Sequence, residues 1–158
     1  MRNIALTRID DRLIHGQVVT AWVKQTDANQ IIIVDGPLTK DVFMQKVLRS
    51  AAPAGITVKV MNSQDASDYL MEEGTAGEKI ILLVKIPQEL EALVDGGVKL
   101  PVIVLGGMGA KTGRQKFNKN VSASPQEVEC LKHLEERGCA VQYQLVPDEK
   151  PTPLSKML

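Results

Sequence analysis

Short aliphatic runs alternate along the chain with longer segments of mixed polarity. Residues 3–9, 30–35, 56–61, 79–84, 102–105 and 140–145 are dense in Ile, Val and Leu and mostly lack the polar/apolar alternation of a half-solvated strand. Continuous apolar runs of this length, bounded by turn residues, predict strands covered on both faces, as in a parallel sheet. Between them the period changes. Phe43, Met44, Val47, Leu48 and Ala51 recur at helical spacing, as do Val128, Leu131 and Leu134, so each set predicts an amphipathic helix with that stripe against the core. Asp35-Gly36-Pro37, Ala52-Pro53-Ala54-Gly55 and Asp95-Gly96-Gly97 close elements. Ser124 followed by Pro125 and Glu127 has the form of a capping box opening the last long helix, and the proline-rich stretch 147–158 predicts a surface-hugging tail with a short terminal helix. With no internal repeat and no low-complexity linker, the pattern predicts one α/β domain over residues 1–158: an open, mostly parallel (mixed) sheet with helices on both faces.

Composition narrows this picture only modestly. A chain of 158 residues is long enough to bury roughly two thirds of its unfolded surface, and 3% aromatic content makes the core aliphatic. Nineteen basic and nineteen acidic side chains cancel, so nothing global points to nucleic acid or an anionic membrane, and any electrostatic function is local. Arg8, Asp10, Asp11 and Arg12 precede any long apolar run, which argues against a secretory signal. Apolar runs such as 80–84 fall far short of the ~20 residues needed to span a bilayer, so a cytoplasmic protein is expected. Cys130 and Cys139 lack C-x-x-C spacing and read as reduced structural thiols rather than a disulfide or zinc site.

The candidate chemistry lies at the end of the first run, in Arg8-Ile9-Asp10-Asp11-Arg12-Leu13-Ile14-His15-Gly16-Gln17-Val18. His15 falls where a strand gives way to a helix, the region in which open α/β sheets hold ligands. A helix starting at Gly16 and Gln17 presents unpaired N–H groups and a positive dipole end, both suited to a phosphoryl group. If the strand stays extended through Arg12, then Arg8, Asp10 and Arg12 share one face, and two guanidiniums and a carboxylate flank the histidine. Asp10 then either holds an arginine or fixes the imidazole tautomer; the residues alone do not choose. These are the parts of a phosphohistidine site, although they also admit a half-buried loop histidine satisfied by backbone groups.

The run from Arg8 to Val18 closely resembles the signature of the IIB component of the mannose/fructose/sorbose family of the bacterial phosphoenolpyruvate-dependent sugar phosphotransferase system. Softer similarity continues through Ala51-Ala52-Pro53, Gly106-Gly107-Met108, Val121 and residues 138–147. The resemblance implies that residues 1–158 form one such IIB domain. It implies further that Nδ1 of His15 accepts a phosphoryl group from a IIA domain and passes it to a sugar, a hexose or amino sugar, presented by the membrane IIC/IID subunits. Arg8, Arg12 and the amides at Gly16 and Gln17 then neutralise the transferring group, with no metal and no cofactor beyond the phosphohistidine itself. The implied setting is the cytoplasm, peripheral to IIC/IID, and a homodimer is compatible with it.

Two other functions share part of this pattern. A histidine phosphatase or mutase also forms phosphohistidine, but wants Arg where Ile14 stands and a second catalytic histidine, for which exposed His133 is the only candidate. An anion-binding regulatory α/β domain would use the same cluster without transfer. The stretch 105–113 lacks the glycines of a P-loop at Leu105 and Ala110 and reads instead as a mobile loop beside His15. Its continuation through Lys111, Arg114, Lys116 and Lys119 reads as a solvated basic surface, with docking of an acidic partner as the alternative. Trp22, the only tryptophan, reads as a packing residue.

Overall fold

The computed structural model describes residues 1–158. Its strands are β1 (Ile4–Asp10), β2 (Gln30–Val34), β3 (Thr57–Met61), β4 (Ile80–Val84), β5 (Val102–Gly107), β6 (Gln115–Lys116), β7 (Ser122–Ala123), β8 (Ala140–Tyr143) and β9 (Thr152–Pro153). The helices are α1 (Gly16–Thr26), α2 (Val42–Ala51), α3 (Ser63–Met71), α4 (Pro87–Asp95), α5 (Pro125–Glu136) and α6 (Leu154–Met157), with a 3-10 turn at Pro37–Lys40. Seven strands form one sheet in the order β3-β2-β4-β1-β5-β8-β9, parallel throughout except for β9, which pairs antiparallel with β8. The short hairpin of β6 and β7 stands apart.

The aliphatic runs make this sheet because alternate side chains feed two separate apolar layers. Ile31 and Ile33 of β2, with Ile81 and Leu83 of β4, pack against Val19 and Trp22 of α1 and Leu48 of α2. Ile32, Val34, Ile80 and Leu82 point the other way, against Leu70 of α3, Leu90 and Leu93 of α4 and Leu131 and Leu134 of α5. Helices therefore cover both faces, as the pattern predicts. Each of the six expected strands is present, and the predicted capping box forms: Ser124 accepts from the Glu127 amide, and Glu127 accepts from the Ser124 amide.

Three local expectations are corrected. The stripe on α2 does not face the core: Phe43 is 75 % exposed and Val47 43 %, and Leu48 alone is buried. The helix packs on the edge strand β3 and the 3-10 turn, and only Leu48 reaches the apolar layer that includes Ile31, Ile33 and Val58. The tail does end in a short helix, but first contributes β9, whose Pro153 is tolerated because β9 is an edge strand. Gly106 and Gly107 belong to β5 rather than to a mobile loop, and both are buried.

The sheet's layout positions the site. The connection leaving β1 crosses to one face through α1, whereas those leaving its neighbours β4 and β5 cross to the other through α4 and α5. Oppositely directed connections open a crevice at the carboxyl ends of the strands. The β1–α1 loop carrying His15 lies there.

Candidate active site

β1 ends at Asp10, and Asp11 and Arg12 form a turn rather than an extension of the strand. The turn is fixed locally: the Leu13 amide donates to the Asp10 carbonyl at 2.9 Å, and the Arg12 amide to Asp10 Oδ1 at 3.1 Å. Leu13 adopts the left-handed conformation (φ 58°), which is strained for a branched aliphatic residue. What holds it there is burial, since Leu13 and its neighbour Ile14 both insert into the apolar layer beneath α1. Arg12 thus reaches Asp10 by folding back, and not by strand alternation.

Asp10 is the hub. Its Oδ2 accepts from His15 Nε2 at 3.0 Å, Arg12 Nη2 at 3.2 Å and Arg8 Nη2 at 3.3 Å, while Oδ1 accepts from Arg12 Nε at 3.1 Å. Asp10 thus contacts both arginines and the imidazole, the two kinds of partner that the sequence left open. Burial by itself raises the pKa of Asp10, but the hydrogen bonds from Arg12 and His15 and the charge of Arg8 outweigh it and hold the carboxyl below its ordinary value. An ionised carboxylate can only accept, so in the neutral imidazole Nε2 carries the proton and Nδ1 keeps its lone pair.

The two arginines are not equivalent. The Arg8 side chain is 2 % exposed, donates to the Gln144 carbonyl at 2.8 Å and lies over the Trp22 ring at 5.4 Å. Arg12 is 46 % exposed beside His15, which is itself 23 % exposed. Arg8 is therefore placed to orient Asp10, and Arg12 to meet a group arriving from solvent. Behind His15, α1 begins at Gly16 with no side-chain cap and no acid in its first turn. The first-turn amides, including those of Gly16 and Gln17, have no intrahelical acceptor and are open to an anion.

The glycine pair in β5 owes its place to sterics. Neither Gly106 nor Gly107 has a positive φ, but a Cβ at Gly106 would overlap the Arg8 guanidinium, and one at Gly107 would stand 3.0 Å from Arg12 Nη2 and 3.1 Å from Asp10 Oδ1. Because Arg8 is fixed on both sides, Gly106→Ala is expected to cost about 3 kcal/mol, the upper part of the range for overpacking. Gly107→Ala should cost less, since half-exposed Arg12 can give way. Chemical denaturation compares them; equal midpoints for wild type and Gly106→Ala would refute the assigned role.

Other predicted positions resolve simply. Trp22 is buried, and its Nε1 donates to the Leu145 carbonyl at 3.0 Å. His133 is exposed on α5, on the opposite face from α1, with Nδ1 2.8 Å from Glu91 Oε2. Cys130 and Cys139 are buried and unpaired, and burial together with nearby Glu91 pushes the Cys130 thiol up to about 12.

Arg114 occupies a place that no local sequence feature signals. It is no part of a solvated basic surface: its side chain is 2 % exposed and donates to Glu127 at 2.9 Å through both Nε and Nη2, and to Asp11 Oδ2 at 3.3 Å. One acid-free stretch holding several cations offered no signal to separate Arg114 from its exposed lysine neighbours. For Glu127, burial raises the pKa, but the hydrogen bond from Arg114 prevails and holds it below the ordinary value. Asp10 and Glu127 thus both titrate lower in the folded than in the unfolded chain. Unfolded chains take up protons first as pH falls, so this stabilisation is complete above the ordinary carboxylate values of 3.8 and 4.5 and is lost on descending through and below them. Denaturation midpoints are expected to hold from neutrality to about pH 5 and then fall, less steeply in Glu127→Gln. A flat profile down to about pH 3 would contradict this assignment.

No helix is long and apolar enough to cross a membrane. Residues 4–158 match the family model described as "PTS system sorbose subfamily IIB component". The chain is 36% identical over 155 residues to the sorbose-specific EIIB component of Lacticaseibacillus casei, covering 98% of this chain and 93% of that one. It is 37% identical over 143 residues to the mannose-specific EIIAB component of Escherichia coli K12, matching 90% of this chain but only 44% of that longer protein. The chain thus spans less than half the length of this two-part relative. The crystal structure of the IIBSor domain of the Klebsiella pneumoniae sorbose permease superposes with a TM-score of 0.93 at 31% identity, covering 98% of this chain and 95% of that one.

Proposed function

The chain belongs to the sorbose subfamily of phosphotransferase-system IIB components, and from that premise we propose that His15 is its phosphoryl carrier, loaded by a IIA donor and discharged onto a sugar held by membrane IIC/IID subunits. The observation that carries this reading is the 3.0 Å bond between His15 Nε2 and Asp10, which leaves Nδ1 as the nucleophile. As the donor's P–N bond breaks, a new P–N bond forms at Nδ1, and the Nε2 proton stays against Asp10. In the second step this bond breaks as a P–O bond forms to a sugar hydroxyl, the hydroxyl proton is released to solvent, and Nδ1 regains its lone pair.

Little covalent work falls to the protein, so positioning and charge dominate. Arg12 and the open first-turn amides of α1 meet the phosphoryl oxygens, while buried Arg8 holds Asp10 in register. The relay as proposed uses no metal or other cofactor, and residues 1–158 act as one IIB domain at the cytoplasmic side of IIC/IID. The relatives' names include both sorbose and mannose, and the substrate is proposed only as a hexose or amino sugar.

A histidine phosphatase would need a second histidine at the site, and His133 lies on the other face of the sheet. Incubation with labelled phosphoenolpyruvate, enzyme I, HPr and a cognate IIA tests the proposal. The expected product carries acid-labile, alkali-stable phosphate on His15; phosphate at another residue, or none, refutes it.

A further inference from the structure

We propose that Arg114 and Asp11 form a latch that positions His15 for phosphoryl transfer, an inference that rests on His15 being the carrier. The loop from β1 to α1 is held at its start by the Asp10 carboxylate and in its middle by buried Leu13 and Ile14. A third attachment runs sideways. Asp11 Oδ2 accepts from the Gly109 amide at 2.7 Å and from Arg114 Nη1 at 3.3 Å, and the same Arg114 nitrogen donates to the Gly109 carbonyl at 2.7 Å. The other edge of the guanidinium grips Glu127 through two bonds of 2.9 Å, and Glu127 also accepts from the Ser124 amide at 2.9 Å.

One buried guanidinium thus joins the histidine loop, the loop after β5 and the first turn of α5, segments 103 and 13 residues from one another in sequence. With its side chain 2 % exposed and four of its five N–H donors engaged by two carboxylates and a carbonyl, Arg114 is not available to contact a phosphoryl group itself. Its role is to immobilise. A buried ion pair of this kind is a poor source of net stability, because desolvation offsets much of the attraction, but its fixed bond directions define one arrangement. The arrangement it defines is that of the loop four residues before His15. Its left-handed Leu13 is a strained conformation that persists only where surrounding contacts over-determine it.

The test compares Asp11→Asn and Arg114→Lys with wild type in phosphoryl transfer from a IIA protein charged from labelled phosphoenolpyruvate. Asparagine keeps the shape of Asp11 and an acceptor for Gly109 but loses the charge that Arg114 holds; lysine keeps the charge of Arg114 but loses its fork. Both variants are expected to label His15 to the same final stoichiometry as wild type, with kcat reduced about tenfold and KM for the donor unchanged, because small misplacement of a reacting group is costly. Hydrogen exchange at the Gly109 amide should accelerate in Asp11→Asn. A merely structural role predicts a different pattern, in which stoichiometry falls with the folded fraction and the rate per folded molecule stays constant. That pattern, or a wild-type rate in both variants, overturns the latch. Absence of label on wild-type His15 overturns the carrier assignment itself and the latch with it, and is distinguished from the other outcomes by the wild-type control alone.

Discussion

Replacing His15 by alanine is expected to abolish phosphoryl uptake while leaving the protein folded. The two effects separate because the imidazole is attached to the fold by one group only. Its Nε2 donates to Asp10 at 3.0 Å, and the ring is 23 % exposed, so truncation removes one hydrogen bond and the contacts of a partly buried ring. Asp10 keeps its partners Arg8 and Arg12 and remains paired. The cost to stability should be about 1–2 kcal/mol, the net worth of a typical hydrogen bond plus the lost contacts of the ring. Transfer, in contrast, loses the atom that carries the group, and no neighbouring nucleophile replaces it. Labelling from phosphoenolpyruvate through a cognate IIA, run beside a denaturation curve, measures both. Retention of label in His15→Ala would move the carrier elsewhere.

Asp10→Asn should do the opposite, damaging rate and stability together. Asparagine matches the aspartate in shape but has one acceptor oxygen, and its amide would face donors from Arg8, Arg12 or His15. Arg8 then loses the counter-charge to a guanidinium that is 2 % exposed. Breaking a buried pair by removing one partner costs about 3–5 kcal/mol, a large share of the roughly 5–15 kcal/mol that stabilises a domain. In the molecules that remain folded, nothing compels Nε2 to hold the proton, and the tautomer with Nδ1 free is no longer favoured. Loss of tautomer control at a catalytic histidine lowers turnover by on the order of 10⁴-fold in a serine protease, and a drop of about 10²- to 10⁴-fold is expected here. The rate is to be measured at low temperature and corrected for folded fraction. A corrected rate equal to wild type would remove Asp10 from the mechanism and leave it a purely structural hub.

Much of this architecture was legible because parallel strands buried on both faces must be continuously aliphatic, and helices that start or stop need caps and glycines that stand out in sequence. The runs at 30–35 and 79–84 and the capping box at Ser124 are cases in point. The α2 stripe misled because periodicity reports that a helix has an apolar side, not that anything lies against it. Gly106 and Gly107 misled for a related reason. Glycine after a strand ordinarily signals a turn, and here it signals a side chain from β1 that needs the space.

At the site, the sequence by itself determined the membership: Arg8, Asp10, Arg12 and His15 lie within eight residues, close enough that a strand followed by a tight turn brings them together. Tertiary structure alone decided their surroundings. Which arginine is buried depends on Trp22, Gly106 and the Gln144 carbonyl, and which loop is locked depends on Arg114 and Glu127. These groups come from α1, β5, the end of β8, the loop after β5 and α5, and their convergence is set by how strands order themselves in the sheet. Local propensity is encoded residue by residue, whereas desolvation and hydrogen-bond partnership across the sheet exist only once the chain has closed on itself.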